Sequence, residues 1–167
     1  MRQYFTVDDV VRLKEAIIRE LKTLAVKKGI VASENDAIVR ELLPSDLGLN
    51  SWAKDLSGGT ANQYNDAVST TLSDKKIIAI YGLRLLGSSS NVDNIKFLRG
   101  DGATKDIWDA NGIKVKEDKT TITEDDRVIR YENSETVKIQ YYITATGTEE
   151  IQLLGFVVEP KGETISF

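Results

Sequence analysis

The chain has 167 residues and a formal net charge of −4, with 41% hydrophobic and 29% charged residues. That balance suits one folded domain with a water-facing surface and a sizeable core. There is no His and no Cys, which excludes imidazole-dependent catalysis, zinc sites, thiol redox chemistry and disulfides.

Residues up to Asp74 carry 9 basic and 11 acidic groups and the remainder 13 and 15, so neither half is a basic arm. Nucleic acid is therefore not expected as a partner. No run approaches the roughly 18 consecutive apolar residues of a membrane helix. The opening Met1-Arg2-Gln3-Tyr4-Phe5-Thr6 lacks the apolar centre of a signal peptide. The expectation is a chain assembled in a cytoplasm, with no membrane partner.

Residues 7–28 read as a helix. Val7, Val10, Val11, Leu13, Ile17, Ile18, Leu21, Leu24 and Ala25 recur at spacings of three and four. Thr6 and Asp9 make a capping-box pattern, Lys27 and Lys28 suit the negative end of the dipole, and Gly29 lies just beyond. The stripe is wider than one partner surface covers, which predicts oligomers, with Val7, Val10, Ile17, Leu21 and Leu24 at a protein interface.

Ser33 and Asp36 repeat the capping pattern. Ile38, Val39, Leu42 and Leu43 then follow at helical spacing and Pro44 ends the run, so a second helix is expected. From Ser45 to Asp74 the periodic signal fades into polar runs such as Ser57-Gly58-Gly59-Thr60, with Trp52, Leu56 and Tyr64 as sparse apolar points. This segment reads as an extended linker, and Trp52 joins the candidate interface.

From Lys75 the period changes to two. Ile77–Leu86 is a strand buried on both faces over its first half, and residues 137–144 and 151–158 are further long strands. Shorter candidates are Asn94–Arg99, Lys105–Trp108, Gly112–Lys116, Arg127–Glu132 and Glu163–Phe167, with Asn111-Gly112 as a hairpin turn. About eight strands at this spacing, without helices between them, argue for an antiparallel β-sandwich. Strand count does not separate a jelly roll from an immunoglobulin-like topology; the jelly roll is favoured. The domain reading is thus a helical region (1–44), a linker (45–74) and a sandwich (75–167): mainly β, preceded by an α-helical arm.

No catalytic, cofactor or metal site emerges. Glu124-Asp125-Asp126 is the densest acidic group and reads as a solvated loop. Asp106, Asp109 and Asn111 miss the calcium-loop register, because Ile107 stands where a ligand is needed. Gly100-Asp101-Gly102 follows a strand but precedes no helix, so it reads as a turn. Trp108 and Tyr142 are candidates for a sugar-stacking platform, against the alternative that Trp108 fills the core.

Ile80-Tyr81-Gly82-Leu83-Arg84-Leu85, Gln140-Tyr141-Tyr142-Ile143 and Leu153-Leu154-Gly155-Phe156-Val157-Val158-Glu159-Pro160-Lys161-Gly162 together resemble the jelly-roll domains of tailed-phage virion proteins. The resemblance is to cement (decoration) proteins and covers residues 76–167. It implies a structural virion protein, often trimeric, that binds the major capsid protein shell and stabilises it, with an N-terminal arm making contact. The alternatives are a tail, baseplate or fibre component, a carbohydrate-binding sandwich, and a carboxylate-dependent hydrolase for which no residue pair is singled out.

Overall fold

The computed structural model describes residues 6–86, 91–109, 114–115, 120–123, 127–147 and 150–162. Helix α1 runs Val7–Lys27 and opens with the expected capping box: Asp9 Oδ2 accepts from the Thr6 amide at 2.9 Å, and the Asp9 amide donates to Thr6 Oγ1 at 3.2 Å. It ends where Gly29 takes the left-handed φ of +74°.

The strands are β1 (Ala37–Glu41), β2 (Lys54–Asp55), β3 (Gln63–Thr71), β4 (Ile77–Leu86), β5 (Val92–Leu98) and β6 (Thr104–Asp109). After them come β7 (Lys114–Val115), β8 (Thr120–Ile122), β9 (Ile129–Tyr131), β10 (Thr136–Ile143) and β11 (Glu150–Pro160). They form a seven-stranded sheet in the order β1-β11-β4-β8-β7, with β2 also on β11 and β9 also on β4. The second sheet has four strands in the order β3-β10-β5-β6, and all pairings are antiparallel.

First strand pairs with last, β3 with β10, β4 with β8 and β9, and β5 with β6. This nested pairing across two facing sheets is the jelly-roll wrap. The order excludes the immunoglobulin-like alternative, whose two sheets divide the strands differently.

Two elements of the sequence reading are corrected. Residues 37–44 are not a helix: a 3-10 turn covers Glu34–Asp36, with the Ser33 hydroxyl on the Asp36 carboxylate rather than capping a backbone amide, and Ala37 then turns extended into β1. A five-residue strand beside a covering helix has apolar residues on both faces, which mimics helical spacing over so short a run. Residues 45–74 are not a linker, since they supply β2 and the whole of β3. Strand β3 escaped notice because its outer face is polar and it buries only Ala67 and Val68. Both sheets thus draw an edge strand from residues before 75, and the sandwich does not start there.

The packing has two layers of core. Ile80, Leu83, Phe97, Ile139 and Tyr141 are among the residues buried between the sheets. On the other face of the seven-stranded sheet, Leu13, Ile17, Leu21 and Ala25 of α1 pack on Ile77, Ala79, Tyr81, Phe156 and Val158. That second layer is why β4 is buried on both faces from Ile77 to Leu83. Glu20 of α1 pairs with Arg130 of β9, Nη2 to Oε2 at 2.6 Å, and Lys28 with Glu132 at 2.8 Å. The helix is a fixed layer of the fold rather than a detached arm.

Candidate functional site

The six residues expected at an interface divide into three groups. Ile17 and Leu21 are each 1% exposed and are consumed by the chain's own sheet, so they are corrected to core residues. Val10 and Leu24 are half-buried along the same seam. Val7, 80% exposed, and Trp52, 64% exposed, remain at the surface. Leu13, Ile17, Leu21 and Ala25 of the stripe fill one intramolecular face, while Val7 and Val11 of the same stripe stay exposed.

Trp52 lies in an excursion from the sheet edge. Strand β1 pairs with β11 as far as Glu41↔Phe156, and β2 resumes at Lys54↔Ile151. Residues 42–53 leave the sheet in between and form a shallow groove whose walls include Leu43, Pro44, Leu49, Trp52, Gln152 and Leu153. Val7 and Val11 are exposed on the first turns of α1, on the outer face of the seven-stranded sheet. There, Lys14 places its ammonium 5.8 Å from the Tyr81 ring centroid.

The excursion is anchored by charge. Arg40 donates from Nη1 and Nη2 to the two oxygens of Asp46, both at 2.8 Å, and from Nε to Glu159 Oε1 at 2.9 Å. Lys76 Nζ reaches Asp46 Oδ1 at 3.2 Å, and the Leu43 amide donates to Asp46 Oδ2 at 2.8 Å. The Asp46 and Glu159 side chains are only 2% and 7% exposed. Burial pushes the Asp46 carboxyl up, but the Arg40 guanidinium, the Leu43 amide and the Lys76 ammonium outweigh it and hold the group below its ordinary value. Its Asp46 hydrogen bond raises Arg40 against the opposing effect of burial. Two acids and two bases satisfy each other here, a structural cluster rather than a reactive one.

A second polar cluster lines the opening between β6 and β9. Lys105 binds Glu135 at 2.7 Å and the Arg130 carbonyl at 2.8 Å, and lies 4.6 Å from the Tyr131 ring centroid. Arg127 holds Asp106 at 3.1 Å and the Ile107 carbonyl at 2.8 Å. Each cation here already has an acid, so the cluster does not hold an anion. The Tyr131 hydroxyl donates to the Leu98 carbonyl at 2.8 Å, and burial, with the Glu135 charge, pushes it above the ordinary tyrosine value.

Trp108 is buried and tilts against Phe97 with centroids 4.6 Å apart. Tyr142 lies on the opposite, outer face of the same sheet, where it meets Tyr64 edge-on at 5.4 Å. The two are therefore not one platform, and Tyr64 is the aromatic neighbour that sequence reasoning missed; the signal would have been the pairing of β3 with β10. Arg99 pairs with Asp101 at 3.3 Å within a turn that Gly102 closes at φ +90°. Glu124–Asp126, Asn111-Gly112 and Glu163–Phe167 lie outside the described residues. Among the described residues, no three His, Cys, Asp or Glu side chains converge as metal ligands, and no helix is long and apolar enough to cross a membrane.

No family model matches this sequence, and no curated protein does. Similarity is found among solved structures. The chain is similar over 77% of its length to a chain of the infectious bursal disease virus Gx strain structure, at 11% identity and a TM-score of 0.36. It is similar over 76% of its length to a chain of the infectious bursal disease virus VP2 subviral particle, at 9% identity and a TM-score of 0.34. A third, from the Gt strain of the same virus, has 13% identity and a TM-score of 0.28 over 77% of this chain. The chain spans about a third of the length of these structures, 33%, 34% and 31% respectively.

Proposed function

We propose that this chain is a structural protein of a virion: a capsid cement protein that binds the major capsid protein, stabilises the shell and acts as a homotrimer. In this reading it is not an enzyme and uses no metal or cofactor. It assembles in the host cytoplasm and ends on the capsid surface. The observation that carries the reading is the jelly-roll strand order, β1-β11-β4-β8 facing β3-β10-β5-β6. That architecture recurs in virus shells, and the step from fold to role is one of likeness between folds. The exposed Trp52 and Val7 are the kind of aromatic and apolar anchors that protein contacts use.

The test is cryo-electron microscopy of virions from the phage or virus that encodes the chain, with mass spectrometry of the same particles. Density for this sandwich over capsid subunits, repeated about local three-fold axes, supports the proposal. Its absence from the particles overturns it. Density on the tail instead selects the tail, baseplate or fibre reading.

A further inference from the structure

Helix α1 carries a second row of side chains beside the one it buries. Leu13, Ile17, Leu21 and Ala25 lie on one side of it, against the sheet. At ~100° per residue, Val7, Val11, Glu15, Ile18, Lys22 and Val26 form a separate row, roughly 110° around the helix from that side. Val7, Val11, Glu15 and Val26 are exposed, and Ile18 and Lys22 are half-buried. The row reads the same from either end. Its members are four, four, three, four and four positions apart, so it is symmetric about the point between Ala16 and Ile17. Two copies laid antiparallel about that point bring Val7 opposite Val26, Val11 opposite the alkyl stem of Lys22, and Glu15 opposite Ile18. One surface patch then meets itself across a two-fold axis.

The charges along the row favour the same direction. Asp8 and Glu15 stand in the first half of the helix and Arg19 and Lys22 in the second. None of the four has an ion-pair partner among the described residues. Antiparallel pairing sets Glu15 within one turn of Arg19, and Asp8 within one turn of Lys22, on the facing copy. Parallel pairing sets each acid against its own twin and each base against its own, which opposes association. The other charges of the helix are engaged elsewhere or face away. Asp9 caps Thr6 with Arg12 beside it, Lys14 lies near Tyr81, Glu20 holds Arg130 and Lys28 holds Glu132. Lys27 falls on the far side of the helix from the row.

We infer that this row is a self-association surface, on which α1 pairs antiparallel with α1 of a second copy. Because the row points well away from the buried side, each copy keeps its own sheet beneath its own helix. A three-fold bundle would run its helices parallel and stack like charges, so the three-fold contact of the cement reading lies elsewhere. The inference does not rest on that reading. A contact made by one pair of helices, each ~31 Å long, is smaller than a standard interface, so the association is weak and concentration-dependent.

The test is sedimentation velocity of the full chain from about 10 µM to about 1 mM, in low and in high salt. The mass is expected to rise with concentration from 18.5 kDa towards twice that value, and less so in high salt. A chain that is already trimeric should rise from three copies towards six. Val11→Asp and Glu15→Arg should each weaken the association by about tenfold or more. Combining Glu15→Arg with Arg19→Glu should restore it, because the reciprocal swap rebuilds the pairs between copies. Trp52→Ser should leave it unchanged. Val11, Glu15 and Arg19 are all exposed, and thermal melts check that each variant folds. A mass that stays at one copy or at three over the whole range overturns the inference. So does association that Glu15→Arg leaves intact or that the double swap fails to restore. Association that begins only when residues 1–5 are removed assigns the row to the chain's own start and overturns it too.

Discussion

Arg40 and Asp46 face each other as a two-pronged pair, Nη1 to Oδ2 and Nη2 to Oδ1 at 2.8 Å, across only six residues of chain. A guanidinium and a carboxylate in this parallel geometry are strongly matched. The pair joins a loop to a strand, and Glu159 from β11 completes it. Removing Asp46 strands the Arg40 charge against one remaining acid. Asp46→Ala should cost about 3 kcal/mol, the lower end for a broken buried pair because Glu159 is retained. Urea denaturation monitored by circular dichroism measures it, and a loss under about 1 kcal/mol would mean that water replaces the carboxylate without penalty.

Acid should weaken the fold through the same group. The Asp46 and Asp106 carboxyls both sit below their ordinary values: burial pushes each up, and Arg40 with the Leu43 amide for the first, and Arg127 with the Ile107 amide for the second, more than offset it. A depressed folded-state value means the stabilising contribution is complete above the unfolded value of about 3.9 and is lost as pH falls through the folded value. Urea midpoints should therefore be level from neutrality to about pH 5 and fall below about pH 4. The Asp46→Asn variant should lose less between those two pH values than the native chain. An equal loss would place the acid-sensitive group elsewhere.

Helix α1 should be indispensable to solubility. Its residues Leu13, Ile17, Leu21 and Ala25 cover Ile77, Ala79, Tyr81, Phe156 and Val158. The sequence reading starts the sandwich at residue 75, but its edge strands β1 and β3 come from before that point. A chain lacking residues 1–74 should be insoluble or lack a cooperative melt. The milder Ile17→Ala should cost about 2–5 kcal/mol, as for other fully buried aliphatics. A soluble, cooperatively melting 75–167 fragment would show that both missing edges and the bare face are tolerated.

Gly155 is required by proximity rather than by backbone angle. A Cβ there would lie 2.3 Å from the Ala79 carbonyl oxygen, at the point where Tyr81 is the unpaired extra residue of β4. Gly155→Ala must push two central strands apart and should cost at least about 1–3 kcal/mol. Thermal melting of the variant decides it, and an unchanged midpoint would mean that the bulge absorbs a methyl group.

Trp52→Ser should leave monomer stability within about 0.5 kcal/mol, as expected of an exposed side chain away from buried contacts. Any self-association or shell binding that uses this end of the sheet should weaken. Sedimentation and particle-binding assays on the same variant separate the two effects. Unaltered association would remove Trp52 from the interface.

The long strands and the first helix were legible because each carries its own signal: β10 alternates over eight residues, β4 and β11 are long apolar runs, and α1 has both a cap and a stripe. Strands β1 and β3 were not. In β1, Val39 packs on the helix side while Arg40 points to the sandwich side and binds Glu159, a pattern that follows from layers the local sequence does not reveal. In β3, hydrogen bonds to β10 rather than apolar side chains hold the strand. The outer face at Tyr64 and Tyr142 was half legible, since Tyr142 stood out alone and its neighbours arrive only through register.

The break between β1 and β2 leaves the fold with an adjustable segment. Residues 42–53 span on one side what residues 152–155 span on the other, and both ends are clamped to β11. Lengthening a loop whose ends are already fixed costs little, about 0.6 kcal/mol for each doubling. The stretch after Leu49, carrying Trp52, can therefore diverge in length and composition while Arg40, Asp46 and Glu159 keep its root in place. A sandwich built this way can acquire new neighbours without redesigning its interior.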